Sequence, residues 1–407
     1  MRPEEFFVEV SARHRRCFWL DGGGAREWSG SRSIVGWLDE DGVSLSYDAA
    51  RGVVTAHAGG ASRVVGTDPF AVLAERIRPG EQWFGWFGFA ARADLPAAPD
   101  PHLPDAVWMR ADHVRQFDHP TRSEPQAPPP PTAAGPAPHA YAAAFEAVQE
   151  HLHAGNSYEV NLTHRVAVED SLDPAAAYLR LRSLNPAPYA GFLAHDVPGA
   201  RSWLLSSSPE RYALVRDGVI ETKPIKGTAA RSVDPAIDAA LRAGLAADAK
   251  TRAENLMIVD LLRNDLSMVC EPGTVEVPAL MATESYATVH QLVSTVTGRL
   301  RSDVPTVEAL RALFPAGSMT GAPKRRTMEI IAEVEATPRG VYAGAFGWIG
   351  GDGDADLGVV IRSLTTDGSG TWWLGTGGGI TVRSDVDDEW AEAALKAERL
   401  LRVFARD

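Results

Sequence analysis

The chain is predicted to be an α+β protein, a large mixed domain of antiparallel sheets flanked by helices. Three observations carry that reading. The strongest two-residue turn signal, Asp217-Gly218, joins Arg211–Arg216 to Val219–Lys223 as an antiparallel hairpin. Long helical stretches near 139–154 and 236–268 flank this hairpin, and another follows at 388–404. No regular alternation of strand and helix runs through the sequence, so a doubly wound parallel sheet is disfavoured. No internal repeat is present.

The first segment, residues 1–123, reads as strand-rich. Short alternating runs such as Ser44-Leu45-Ser46-Tyr47 and Val53-Val54-Thr55-Ala56 are punctuated by glycine. The run Trp83-Phe84-Gly85-Trp86-Phe87-Gly88-Phe89 is read as core rather than ligand site. Residues 124–138 (EPQAPPPPTAAGPAP) suit neither helix nor ladder strand, because proline lacks the donor and fixes its own backbone. An exposed, semi-rigid connector is expected there, leading into a catalytic domain at 139–407.

With 407 residues, 45% of them hydrophobic, the chain has ample material for a large core. Its net charge of −13 argues against nucleic acid or an anionic membrane as partner, so a small anionic substrate needs a local basic site. Cys17 and Cys270 are far apart and form no C-x-x-C pair, which fits a reducing cytoplasm. The first residues lack the apolar centre of a signal peptide, and no stretch of about 18 apolar residues occurs.

Three places carry chemistry. In Lys250-Thr251-Arg252-Ala253-Glu254-Asn255-Leu256-Met257-Ile258, a turn of about 100° per residue sets Glu254 among Met257, Ile258 and Leu261. A carboxylate there must be paired, protonated or bound to a cation, and an i,i+4 ion pair with Lys250 is the plain alternative. In the last helix, Trp390, Ala393, Ala394, Ala397, Leu400, Leu401 and Phe404 form an apolar stripe. Glu389, Glu392 and Lys396 border it, as a solvated flank or as part of a hard-oxygen metal site. In the hairpin, pairing 216 with 219 and running back sets Glu210 opposite Ile225, one step from Lys226. An acid and an amine so close form either an ordinary ion pair or a general acid with an amine nucleophile. Gly375-Thr376-Gly377-Gly378-Gly379 lacks the third Rossmann glycine and is not a P-loop, though its amides could meet an anion. No zinc-protease spacing occurs.

Several longer motifs then coincide between about 140 and 404. They are Ser157-Tyr158-Glu159-Val160-Asn161-Leu162-Thr163, Ser208-Pro209-Glu210-Arg211, and Ala253-Glu254-Asn255-Leu256-Met257 with Asp260-Leu261-Leu262-Arg263-Asn264-Asp265. Gly317-Ser318-Met319-Thr320-Gly321-Ala322-Pro323-Lys324, Arg339-Gly340-Val341-Tyr342-Ala343-Gly344, Ile361-Arg362-Ser363 and Gly377-Gly378-Gly379 follow. Together they resemble the chorismate-utilising enzymes, a family that includes anthranilate, aminodeoxychorismate, isochorismate and salicylate synthases. The resemblance implies an anthranilate synthase component I-like fold. Pro224-Ile225-Lys226-Gly227-Thr228 resembles the branch that aminates carbon 4 of chorismate, where anthranilate synthases have a small residue in place of lysine.

The resemblance implies Lys226 as nucleophile on carbon 2, in its neutral form, with the pKa lowered by burial beside other cations. It implies Glu210 as the acid for the carbon-4 hydroxyl, and Glu254, Glu392 and Glu389 as Mg²⁺ ligands holding the ring carboxylate. Arg362 and Tyr342, with the amides of Gly378 and Gly379, would hold the enolpyruvyl carboxylate; Lys396 would neutralise the site, and Thr228 and His290 would complete it. His290 sits one residue before the position where relatives place a histidine, now Gln291, and strand alternation would turn it away. Gly22 stands where tryptophan-binding relatives have a serine, so no tryptophan site is expected. Neither cysteine lies in a Gly-x-Cys-x-Gly elbow, so ammonia is expected free or from a separate glutamine amidotransferase subunit. The alternatives are an anthranilate synthase, with Lys226 a bystander, and a silent chorismate-binding regulator.

Overall fold

The computed structural model describes residues 2–22, 32–118, 135–286 and 289–405. Two large antiparallel sheets organise them. The first has nine strands in the order 321–322, 159–169, 371–380, 363–366, 202–208, 189–195, 16–21, 32–37 and 113–118. The second has twelve, running 225–230, 289–299, 219–223, 211–216, 355–359, 345–350, 82–87, 106–110, 44–48, 53–58 and 61–66, with 276–285 also paired to 289–299. Strands from residues 16–118 therefore enter both sheets alongside strands from the later part of the chain. Most of the proline-rich stretch 124–138 lies outside the described residues.

A core of Phe18, Leu193, Leu204 and Trp373 from the first sheet meets Phe84, Trp86, Val107, Met109 and Phe346 from the second. Phe18 and Phe84 stack with ring centroids 3.8 Å apart. The aromatic-glycine run is core, as expected: Phe84 and Trp86 share this cluster, while Trp83 and Phe87 pack on the other face of the strand. Gly85 between them has no room for a Cβ, which would lie 2.0 Å from the Val107 carbonyl oxygen. The outer faces are covered by helices, each fully buried aliphatic or aromatic side chain contributing roughly 1.5–3 kcal/mol. Pro3–Arg13, Pro174–Leu184 and Lys324–Val334 cover the first sheet, and Ala249–Ser267 and Thr306–Leu313 the second.

The helices that reach the site begin at aspartate caps. Asp234 accepts from the amides of Ala236 and Ile237, Asp248 from Thr251, and Asp385 from Asp387 and Asp388. The second of these caps corrects the expectation of one continuous helix over 236–268: the chain breaks at Asp248 into Pro235–Ala247 and Ala249–Ser267. The last helix runs Val386–Leu401 and ends in a 3-10 turn at Arg402–Phe404.

Candidate active site

A cavity of about 990 Å³ opens where the ends of the two sheets meet the helices 235–247, 249–267 and 386–401. Every residue singled out from the sequence lines it, except His290. The chain delivers them from two kinds of wall, strands on one side and helices on the other.

The strand wall carries Lys226. Pro224 ends the hairpin strand, and Ile225–Ala230 crosses to pair with 289–299, with a register shift between Lys226 and Thr228. Gly227 sits in that bulge at φ +76°, where a Cβ would also strike Thr251. The Lys226 side chain is only 10% exposed, and its Nζ donates to Oε1 of Glu159, a carboxylate wholly buried on strand 159–169. Oε2 of Glu159 has no hydrogen-bond partner among the described residues. Gly379 lies directly above this pair: a Cβ there would come within 2.2 Å of Glu159 Oε1 and 3.2 Å of Lys226 Nζ. Burial works against the Lys226 ammonium, but Glu159, Glu254 and Glu210 outweigh it and hold its pKa above the ordinary lysine value. The neighbours are carboxylates, not cations, so the expected depression of its pKa is absent.

Glu210 stands between strands 202–208 and 211–216, buried, with Oε1 accepting from the Ser318 hydroxyl at 2.7 Å. Burial pushes its pKa up to about 7 against the opposing pull of Ser318 and Lys226. The sequence argument that neared it to Lys226 ran through the hairpin; the register slips there, while the proximity holds. Arg216 pairs with Val219, Val215 with Ile220 and Leu214 with Glu221, but a bulge then sets Arg211 opposite Lys223, and Ile225 has left for another partner. The Glu210 carboxyl still accepts from the Ile225 amide, one residue from Lys226, which keeps acid and amine in the same neighbourhood.

The helix wall carries the carboxylates. Burial raises Glu254 to about 7, and its Oε1 has no hydrogen-bond partner among the described residues. The i,i+4 ion pair with Lys250 is stretched to 3.9 Å; the lysine hydrogen-bonds to Glu389 Oε1 at 2.9 Å instead. Glu389 is buried and also accepts from the Ser384 hydroxyl at 2.7 Å. Glu392 is 59% exposed at its side chain, with its pKa lowered mainly by Lys396, 2.6 Å away. Lys396 also donates to the Gly377 carbonyl at 2.8 Å. Three carboxylates on one wall, one with an orphaned buried oxygen, form the kind of hard-oxygen donor set that Mg²⁺ prefers. Among the described residues, no three His, Cys, Asp or Glu side chains converge closely enough to hold a metal ion between them, so one or two of these carboxylates with water would have to serve.

Arg362, at φ +50°, brings its guanidinium to the cavity with no ion pair to any described residue, and burial together with Arg399 lowers its pKa to about 10. Tyr342 lies against Gly375, where a Cβ would come 2.2 Å from the ring, and burial pushes its hydroxyl up to about 12. The glycine-rich stretch is thus no phosphate loop. It is a strand, Thr371–Ile380, paired along its whole length with Glu159–Glu169, and its glycines clear space for Tyr342, Glu389, Lys396 and the Lys226–Glu159 pair.

Thr228 and Gln291 face the cavity from paired strands, with Gln291 Oε1 buried and unpartnered. His290 turns the other way and is held by the Ser285 hydroxyl at 2.8 Å and Asp238 at 3.1 Å, so it is not a cavity residue. Glu159 is the residue that sequence reasoning passed over. Its signal was Glu159-x-Asn161-x-Thr163, a polar face at period two alternating with the apolar Val160 and Leu162.

The family profile described as chorismate binding enzyme matches residues 16–402. This chain belongs to the chorismate binding enzyme family. The match takes in the N-terminal strands as well as the motifs after residue 140. Aminodeoxychorismate synthase of Streptomyces griseus is 40% identical, over 95% of this chain and 60% of its own length. Aminodeoxychorismate synthase component 1 of Escherichia coli K12 is 44% identical, over 65% of this chain and 58% of its own. The chain therefore spans about three-fifths of the length of these curated relatives. The crystal structure of anthranilate synthase component I from Streptococcus pneumoniae TIGR4 superposes with a TM-score of 0.76 at 26% identity, over 91% of this chain and 92% of that one. The fold of this family member is the anthranilate synthase component I-like fold that the motifs implied. No helix among its described residues is long and apolar enough to cross a membrane.

Proposed function

We propose that this chain converts chorismate and ammonia to 4-amino-4-deoxychorismate, with Mg²⁺ as its metal and Lys226 as a covalent nucleophile. The observation that carries the reading is Lys226 itself: an amine in the same cavity as a carboxyl, Glu210, that burial leaves half-protonated near neutral pH. When bound, Mg²⁺ would be held by Glu254, Glu392 and Glu389 and would supply the positive charge that anchors the ring carboxylate. Arg362, uncommitted among the described residues, would take the enolpyruvyl carboxylate beside Tyr342, with Lys396 balancing the charge.

Hydroxide is a poor leaving group, so Glu210 donates its proton to the carbon-4 hydroxyl as that bond breaks and water departs. The Lys226 amine forms its bond to carbon 2 as the ring double bonds shift. Ammonia then adds at carbon 4, the double bonds shift back, and the carbon–nitrogen bond to Lys226 breaks. Lys226 reacts as the neutral amine, and Glu159, which keeps it charged, sets how much of that form exists.

Ammonia would come free or from a separate glutamine amidotransferase subunit. In support, Cys17 and Cys270 are both buried, and burial pushes their thiols up to about 12 and about 11, unsuited to a glutaminase nucleophile. Two buried free thiols also favour a reducing, cytoplasmic setting. The likeness to the Streptococcus pneumoniae anthranilate synthase favours a second reading, anthranilate formation with Lys226 idle.

The deciding experiment is a mass-spectrometric product assay with chorismate, Mg²⁺ and concentrated ammonium at mildly alkaline pH. Aminodeoxychorismate is the expected product. Anthranilate would overturn the lysine mechanism, and chorismate bound with no turnover would leave a silent binding protein.

A further inference from the structure

We propose that Lys250 is the built-in counter-cation of the carboxylate wall and withdraws from Glu389 when a divalent cation binds there. The proposal rests on the reading that Glu254, Glu389 and Glu392 hold the metal. Three carboxylates facing one cavity repel one another, and the wall stays assembled only if positive charge sits among them. Lys250, one helical turn before Glu254, supplies it: its Nζ is 2.9 Å from Glu389 Oε1 and 3.9 Å from Glu254 Oε1. An ammonium and a divalent ion compete for those same oxygens.

The two lysines of the wall are not equivalent. Lys396 is tied to both Glu392 and the Gly377 carbonyl and is 26% exposed. The Lys250 side chain is 46% exposed, so its head group can swing into water while its stem stays on the protein. Glu389 does not need Lys250 to keep its place, because the Ser384 hydroxyl still donates to it. Lys250 thus preforms the wall, and the same contact weakens the apparent affinity for the ion.

The test is calorimetric titration of the full chain with MgCl₂ at constant ionic strength, with and without chorismate. Lys250→Met should bind Mg²⁺ about tenfold more tightly than wild type, while Lys250→Arg, which keeps the charge, should bind like wild type. In EDTA, Lys250→Met should melt below wild type, and added Mg²⁺ should close the gap. Lys250→Gln gives the same comparison with a side chain suited to the helix start. Unchanged or weaker binding by both neutral variants, with wild type saturating normally, overturns the role of Lys250 alone. Absence of saturable binding by wild type, with or without chorismate, overturns the metal reading beneath it.

Discussion

The strand wall and the helix wall of the cavity hold carboxyls raised to the same degree and use them differently. Glu210 on the strand side and Glu254 on the helix side are both pushed up to about 7, in each case chiefly by burial. Glu210 has its oxygen engaged by Ser318, whereas Glu254 keeps a buried oxygen with no partner. A shifted pKa alone would not separate them. The satisfied carboxyl is suited to hold and give a proton, and the unsatisfied one to bind a cation. The scaffolds differ as well: the strand wall holds Lys226, Glu159 and Glu210 buried, while Lys250 and Glu392 reach from helices with half their side chains in water.

If that division is right, breaking the strand wall should cost most. Lys226→Ala should reduce aminodeoxychorismate formation by at least about 10³-fold, measured by mass spectrometry, with the fold unchanged by circular dichroism. Undiminished product would remove the covalent step. On the helix wall, Glu254→Gln should weaken Mg²⁺ on the order of a hundredfold and lose the metal's stimulation of turnover. Retained stimulation would place the metal elsewhere.

The two walls were also unequally legible in sequence. The helix wall follows from periodicity, because Glu389, Glu392 and Lys396 fall on one edge of a clean stripe and Glu254 among apolar neighbours. The break at Asp248 was legible too, as an aspartate three residues before the Thr251 amide it caps. The strand wall depends on long-range pairing, which a local rule cannot supply. The hairpin rule holds for the three pairs nearest Asp217-Gly218 and fails at the first bulge. The partner of Ile225–Ala230 is a strand more than sixty residues later in the chain. Glu159 reaches Lys226 only because Gly379, on yet another strand, leaves room for the pair. The motifs named most of these residues through resemblance, without saying which would touch.

The pH profile sharpens the role of Glu210. As the proton donor it works only while protonated, so its contribution is full below about 7 and is lost as pH rises through that value. Lys226 must be neutral and titrates above Glu210, so kcat should rise with pH up to a bend near pH 7, where loss of the Glu210 proton cancels the further gain in neutral amine. Glu210→Gln should remove that bend, so that kcat keeps rising above pH 7, and lower kcat by about 10²–10⁴-fold. A bend near pH 7 that survives the substitution would belong to another group.

The smallest and most discriminating change is Glu159→Gln. The amide can still accept from Lys226 Nζ, so the side chain stays in place, but the nearest negative charge is gone. Lys226 is raised because Glu159, Glu254 and Glu210 outweigh its burial; with the first of these neutralised, burial should pull its pKa back down. Below the lysine pKa, each unit of depression gives about ten times more neutral amine at a fixed pH. Glu159→Gln is therefore expected to leave the bend near pH 7 in place, move the alkaline limb set by Lys226 downward, and raise turnover near neutral pH several-fold. That is an unusual sign for mutating a wholly buried residue. A loss of activity with an unmoved limb would mean that Glu159 only supports the fold, and that the charge of Lys226 is set by the helix wall.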